Sequence, residues 1–276
     1  MKRSIRIALL ALPLITLAAA PAYAEVKTRD ITQVKFEGML GRMFNMFGGK
    51  AAKEGIQGKT AVKGNRKATL TDAGGTIIDL SEEKIYDIDA KKKTATVTPL
   101  DSIADELQKI GVGTIDAKIT KTSQTRQIAG FTCTVHDISL SLPFSPTGNS
   151  GDGMDLNMQM SGTVCVAKDV PGLADYQAFY RAAADSGFIF GDPRVAKSPT
   201  GAAQAKAYAA LTRKMAEAGM ALESHVVIDA AGGGPMAAMM GRLAKSDITT
   251  TVTKIEAGEV PADAFDIPAG YKVKNK

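Results

Sequence analysis

Apolar and polar residues alternate along much of this chain with a period of two. Val34 and Phe36 alternate with Lys35 and Glu37, the pattern of a strand buried on one face. Residues 75–100, GTIIDLSEEKIYDIDAKKKTATVTPL, hold three short strands separated by SEEK and AKKK. Close spacing with turn chemistry between strands predicts antiparallel pairing. DSIADELQKIG then changes to a helical period. Asp101 or Ser102 can cap it, Ile103, Leu107 and Ile110 share a face, and Gly111 ends it. Two strands follow, Gly113–Thr120 and Phe131–Leu142, with an Ala129-Gly130 turn before the second. The Gly/Pro/Ser/Asn cluster Pro143–Gly153 is a long loop or hairpin tip. In the next strand, Leu156, Met158, Met160, Val164 and Val166 share one parity. Asn157, Gln159, Ser161, Thr163 and Cys165 share the other.

The pattern then becomes helical. LADYQAFYRAAADSG sets Leu173, Tyr176, Phe179 and Tyr180 on one side and stops at Gly187. An alanine-rich helix is predicted from about Ala202 to Ala218, followed by the strand ALESHVVID. Gly232–Gly234 break the chain, and Pro235 suits a first helical position before Met236, Met239 and Met240. DITTTVTKIEAG and FDIPAGYKVK are extended segments that follow. No segment is rich enough in linker residues to divide residues 25–276, which predicts one domain with a helical insertion at about 173–221. Strands on both sides of the helices predict an α+β fold, an antiparallel sheet with helices on one face.

Residues 1–24 read as a leader outside this domain. Lys2, Arg3 and Arg6 precede the apolar run IALLALPLITLAAA, and Ala22 and Ala24 form an A-x-A cleavage signal. The run is too short to span a membrane, which takes about 20 residues. No later window is apolar enough to span one. The expectation is export to the periplasm with cleavage after Ala24, and a chain that is not an integral membrane protein. Removing the leader takes away three positive charges and lowers the net charge from +5 to +2. Nothing left resembles the clustered Lys and Arg of a nucleic-acid footprint. AKKK at residues 90–93 reads as a solvated hairpin tip. The chain has no Trp, few aromatics and 12 Met, so an adaptable aliphatic and thioether core is expected.

Export bears on the two cysteines, Cys133 and Cys165. In an oxidising compartment two thiols with none left over favour a disulfide. A redox pair would need C-x-x-C, and a zinc site would need more ligands than His136 and His225 can add. The parities conflict, however. Cys133 runs with Phe131 and Val135, while Cys165 lies on the polar side of its strand, so a bulge or a crossing of faces is required. Neither histidine falls in a metal-binding spacing, and no G-x-S-x-G elbow is present. No catalysis, metal or cofactor is therefore expected. Met154, Met158 and Met160 could ligate Cu(I), but the parity of Met158 and Met160 with Leu156, Val164 and Val166 marks an apolar strand face. GMLGRMFNMFGG, with Met39, Leu40, Met43, Phe44, Met46 and Phe47, reads either as a strand entering a buried edge or as a mobile apolar flap over a cavity.

Three stretches carry a resemblance: IIDLSEEKIYDIDAKKKTATV, the pair IAGFTCTVHDI and GTVCVAKDVPG, and FDIPAGYKV. In these the chain resembles the LolA-like superfamily of exported lipoprotein-carrier-type proteins, closest to its uncharacterised periplasmic families. The resemblance implies a strongly curved antiparallel sheet, an unclosed barrel, with helices packed on its concave face. Related carriers hold acyl chains between sheet and helices. The chain departs from them in its helical insertion, and a carrier's arginine and aromatic lining has no residue-by-residue match here. The expected function is non-catalytic binding or carriage of a hydrophobic or amphipathic, lipid-like ligand. Phe36, Leu40, Met43, Met158, Met160 and Phe179 are the expected lining. The alternative is a cell-envelope interaction protein with a protein partner, a filled core and no ligand.

Overall fold

The computed structural model describes residues 25–36, 53–99, 116–144, 156–185, 210–232 and 245–275. Alternation of period two dominates what they form. The strands are β1 (Val26–Phe36), β2 (Ile56–Lys63), β3 (Arg66–Thr71), β4 (Gly74–Asp79), β5 (Lys84–Asp89) and β6 (Thr94–Pro99). They continue with β7 (Asp116–Ile128), β8 (Phe131–Phe144), β9 (Leu156–Ala167), β10 (Met220–Gly232), β11 (Ser246–Ala257) and β12 (Lys272–Asn275). All belong to one sheet ordered β12-β6-β5-β4-β3-β2-β1-β11-β10-β9-β8-β7. Every pairing is antiparallel except β12 on β6, which is parallel.

This corrects the fold class. The expected α+β architecture, a strongly curved antiparallel sheet with helices packed on its concave face, gives way to an all-β-like fold. One large mixed sheet of twelve strands, not closed, makes up most of the structure. Among the described residues the helical part is small: residues 53–54, α1 (Leu173–Asp185) and α2 (residues 210–218), with a 3-10 turn at Ala262–Phe265. The helix expected at 101–111, the start of the alanine-rich helix and the Met39–Phe47 segment lie outside the described residues. The physical reason for the correction lies in the first third. The β2–β3 hairpin and the first half of β1 are rich in Lys, Thr and Gly and carry little apolar signal, yet they join the sheet through cross-strand pairs.

Turn chemistry sets the registers. Ala129 (φ 51°) and Gly130 (φ 85°) are both left-handed and join Ile128 to Phe131, which pair directly. Two positive φ values in a two-residue loop match the right-handed strand twist. The meander β4–β5–β6 follows the three predicted strands, with turns at SEEK and AKKK.

Both faces of the sheet are covered in places. On one, Val26, Val62, Ile78, Ile85, Val135 and Leu222 meet Phe179 and Ala183 of α1, which packs against β1, β2 and β10. On the other, Ala68, Ile77, Ile88 and Ala95 are covered by Val260 and Phe265. The Arg66 guanidinium lies 5.0 Å from the centre of the Phe265 ring and donates to the Phe265 carbonyl at 3.0 Å. Full burial of side chains such as Ile77 and Phe179 stabilises the fold by about 1.5–3 kcal/mol each.

The cysteines are bonded. Cys133 and Cys165 form a disulfide with Cα atoms 5.3 Å apart, closing a separation of 32 residues. No register shift interrupts β8 and β9, so the parity conflict resolves because both faces of β9 are buried at the disulfide end, from Val164 to Ala167. At the disulfide end, Cys133, Val135, Cys165 and Ala167 face the α1 side. The opposite parity of the same strands, Ile138, Val164 and Val166, packs with Met215 and Ala218 of α2.

Candidate functional site

A cavity of about 430 Å³ opens between the sheet and the two helices. Its floor comes from one parity of adjacent strands. Val26, Thr28, Asp30 and Thr32 of β1, Thr60 and Val62 of β2, Lys67 and Thr69 of β3, and Thr250 and Val252 of β11 line it. The pairings Val26↔Val62, Thr28↔Thr60 and Val62↔Lys67 put these side chains on one face. Tyr176 and Tyr180 from α1 and Thr212 and Met215 from α2 close it from above.

Two irregularities shape the walls. The register slips between Ala221 and Glu223 on β10, which leaves Leu222 unpaired. A regular strand would send alternate residues to opposite faces, but a bulge re-aims side chains, and here Met220, Ala221, Leu222, Glu223 and Ser224 all line the cavity. A second slip, between Arg29 and Asp30, lies on β1. At the rim Arg126 bonds the Glu223 carboxylate.

The wall is graded in polarity. Val26, Val62, Met220 and Leu222 form an almost fully buried apolar end. Threonine hydroxyls form the middle, with Thr32 bonded to Thr250 at 3.0 Å and Thr60 to Thr69 at 3.2 Å. The polar centre is Lys67, Asp30, Tyr180 and Tyr176. The Lys67 ammonium donates to the Tyr180 hydroxyl at 2.8 Å and lies 4.9 Å from that ring's centre. Burial pushes the Lys67 pKa down to about 8, and the Asp30 charge opposes it. Burial raises the Asp30 pKa, and Lys67 works against that rise. Asp30 reaches over β2 because its partner there is Gly58. A Cβ at Gly58 would stand 2.5 Å from Asp30 Oδ2. The Tyr176 and Tyr180 rings sit 4.4 Å apart, and burial raises both their pKa values. Hydroxyls held neutral beside an ammonium and a carboxylate can donate to and accept from a polar group, while the apolar end takes a hydrocarbon portion.

The residues expected to line a cavity are dispersed. Leu40 and Met43 lie outside the described residues. Phe36 closes β1 opposite Ser246, and Met158 pairs with Leu142 and Ala230; their side chains are not among those described. Met160 is half-buried opposite Leu140 and Ile228. Phe179 is fully buried in the core beside the cavity, edge-on to Tyr180. Neither Met160 nor Phe179 belongs to the cavity wall. Sequence reasoning missed Asp30, Lys67 and Thr28, although the run Val26-Thr28-Asp30-Thr32 carries an alternation that marks one face.

The histidines stand apart from the cavity. His136 Nδ1 lies 3.0 Å from the Thr134 carbonyl, and His225 Nε2 lies 3.0 Å from Asp247 Oδ1. Among the described residues no three His, Cys, Asp or Glu side chains converge as a metal site, and no helix is long and apolar enough to cross a membrane. No protein-family model and no curated protein matches the chain.

Proposed function

We propose that this chain is an exported, periplasmic binding or carrier-type protein that takes an amphipathic, lipid-like molecule into the cavity between its sheet and helices, without chemical turnover. The observation that carries the reading is the cavity's volume together with its graded wall. About 430 Å³ falls in the range of small-molecule pockets, roughly 300–1,000 Å³. Apolar walls with a few converging polar groups are what such sites use to bury a ligand and fix its orientation. The leader-like first 24 residues support the periplasmic part of the reading. The alternative, an envelope interaction protein with a filled core, has no use for an open cavity containing a buried ammonium.

Protein purified in native buffer is extracted with organic solvent and the extract analysed by mass spectrometry. The delipidated protein is titrated with a fluorescent fatty acid and a fluorescent phospholipid. A bound amphiphile in the extract, or saturable probe binding weakened by Leu222→Trp, is expected. Protein that yields no lipid and binds neither probe would overturn the proposal.

A further inference from the structure

Buried carboxylate oxygens in folded proteins have partners with few exceptions. Asp175 is one of the exceptions. It is 2% exposed, and its Oδ2 has no hydrogen-bond partner. It stands in the first turn of α1, where the helix dipole favours a negative charge. Burial raises its pKa, and the Glu25 carboxylate raises it further. An anion buried here needs a cation. Lys63 is engaged elsewhere, bonding Glu25 Oε1 at 2.7 Å and the Val260 carbonyl at 3.4 Å.

Glu25 is fixed by three further parts of the chain. Lys63 holds one carboxylate oxygen, the Val260 amide donates to the other, and the Gly258 amide donates to the Glu25 carbonyl at 3.2 Å. These bonds pin the Glu25 nitrogen at the head of β1. The next residue, Val26, is packed in the same core cluster as Leu173 and Tyr176, which flank Asp175 on α1.

The sequence predicts cleavage between Ala24 and Glu25. A leader peptidase adds water across that bond, leaving a carboxylate on Ala24 and an amine on Glu25 that takes up a proton at neutral pH. One amide N–H is thereby replaced by a charged group with three donors. We infer that Asp175 is the docking site for the α-ammonium group created at Glu25, so that removal of the leader completes an ion pair between the start of β1 and the first turn of α1. This inference rests on the leader and on the Asp175 environment, and stands independently of the ligand.

The test compares a chain released from a cleavable tag to begin at Glu25 with the same chain preceded by Gly-Ser, each with and without Asp175→Asn. The Glu25-start chain is expected to melt about 2–4 °C higher than the extended one, the shift that one modest stabilising interaction gives in a domain of this size. The difference is expected to vanish in Asp175→Asn. Equal melting temperatures, or a difference that survives Asp175→Asn, would overturn the inference. A second readout needs no variant: acylation of the Glu25 α-amine by an N-hydroxysuccinimide ester should be at least tenfold slower in the folded chain than in urea. An unprotected amine, or exported protein whose intact mass shows a start other than Glu25, would equally overturn it.

Discussion

Replacing Lys67 by Met is expected to change how stability depends on pH, by an amount the structure specifies. Lys67 is 9% exposed, and burial lowers its pKa from 10.5 to about 8. That gap of about 2.5 units corresponds to roughly 3 kcal/mol at about 1.36 kcal/mol per unit. The folded chain releases this proton near pH 8, while the unfolded chain keeps it to about 10.5. Between those values the unfolded state binds more protons, so the lysine's contribution to stability rises with pH. Below pH 8 the folded chain carries the full penalty of a buried ammonium; above about 10.5 it carries none. Met has a similar length and no charge, so the variant lacks this slope. Urea unfolding at pH 7 and pH 10.5 should show the stability difference between wild type and Lys67→Met moving by about 3 kcal/mol in favour of the wild type. The disulfide leaves no free thiol to exchange at the alkaline end. A difference that stays constant within about 0.5 kcal/mol would refute the reasoning.

Three further outcomes are expected. Replacing Cys133 and Cys165 together by Ala should lower stability by roughly 3–4 kcal/mol, the chain-entropy value for this loop, read from the urea midpoint; an unchanged midpoint would contradict it. Phe179→Ala removes a fully buried ring and should cost about 3–5 kcal/mol, with a loss below about 1 kcal/mol arguing against its place in the core. Gly58→Ala sets a methyl 2.5 Å from Asp30 Oδ2 and should destabilise by roughly 1–3 kcal/mol. Much of that loss should disappear in an Asp30→Ala background, and simple additivity in the double-mutant cycle would argue against the clash.

The sheet's regular parts are legible in the sequence because their signals are local. β4, β5 and β6 are short apolar runs set apart by the turn segments SEEK and AKKK, and the Ala129-Gly130 turn marks itself by residue type. The Cys133–Cys165 bond is legible through residue count and the export signal. The fold class is less so. Cys133 and Val135 are buried on one parity and Ile138 and Leu140 on the other, so a single strand changes its buried face and period alone cannot say which side is core. The cavity is hidden for a different reason. Its polar centre joins Asp30, Lys67 and Tyr180, which meet only through pairing of β1 with β2, β2 with β3, and the packing of α1 above them. Leu222 enters the wall through a bulge that no residue type announces. Methionines drew attention because they are conspicuous in the sequence, whereas the wall is built largely of threonine and valine.

The position of β1 has a consequence for how this chain acquires its structure. β1 lies in the middle of the sheet, between β2 and β11, and Val26 pairs with Ala257. A chain emerging N-terminus first can close the hairpins β2 to β6 early, because their partners are neighbours. β1 must keep one edge open until nearly the whole chain is available, and β12 reaches β6 later still. Pairings of such sequence separation slow folding and prolong exposure of unpaired strand edges. C-terminal truncations ahead of β11 should therefore leave a half-sheet with β1 as its sticky border, prone to aggregate even though β1 to β6 are intact.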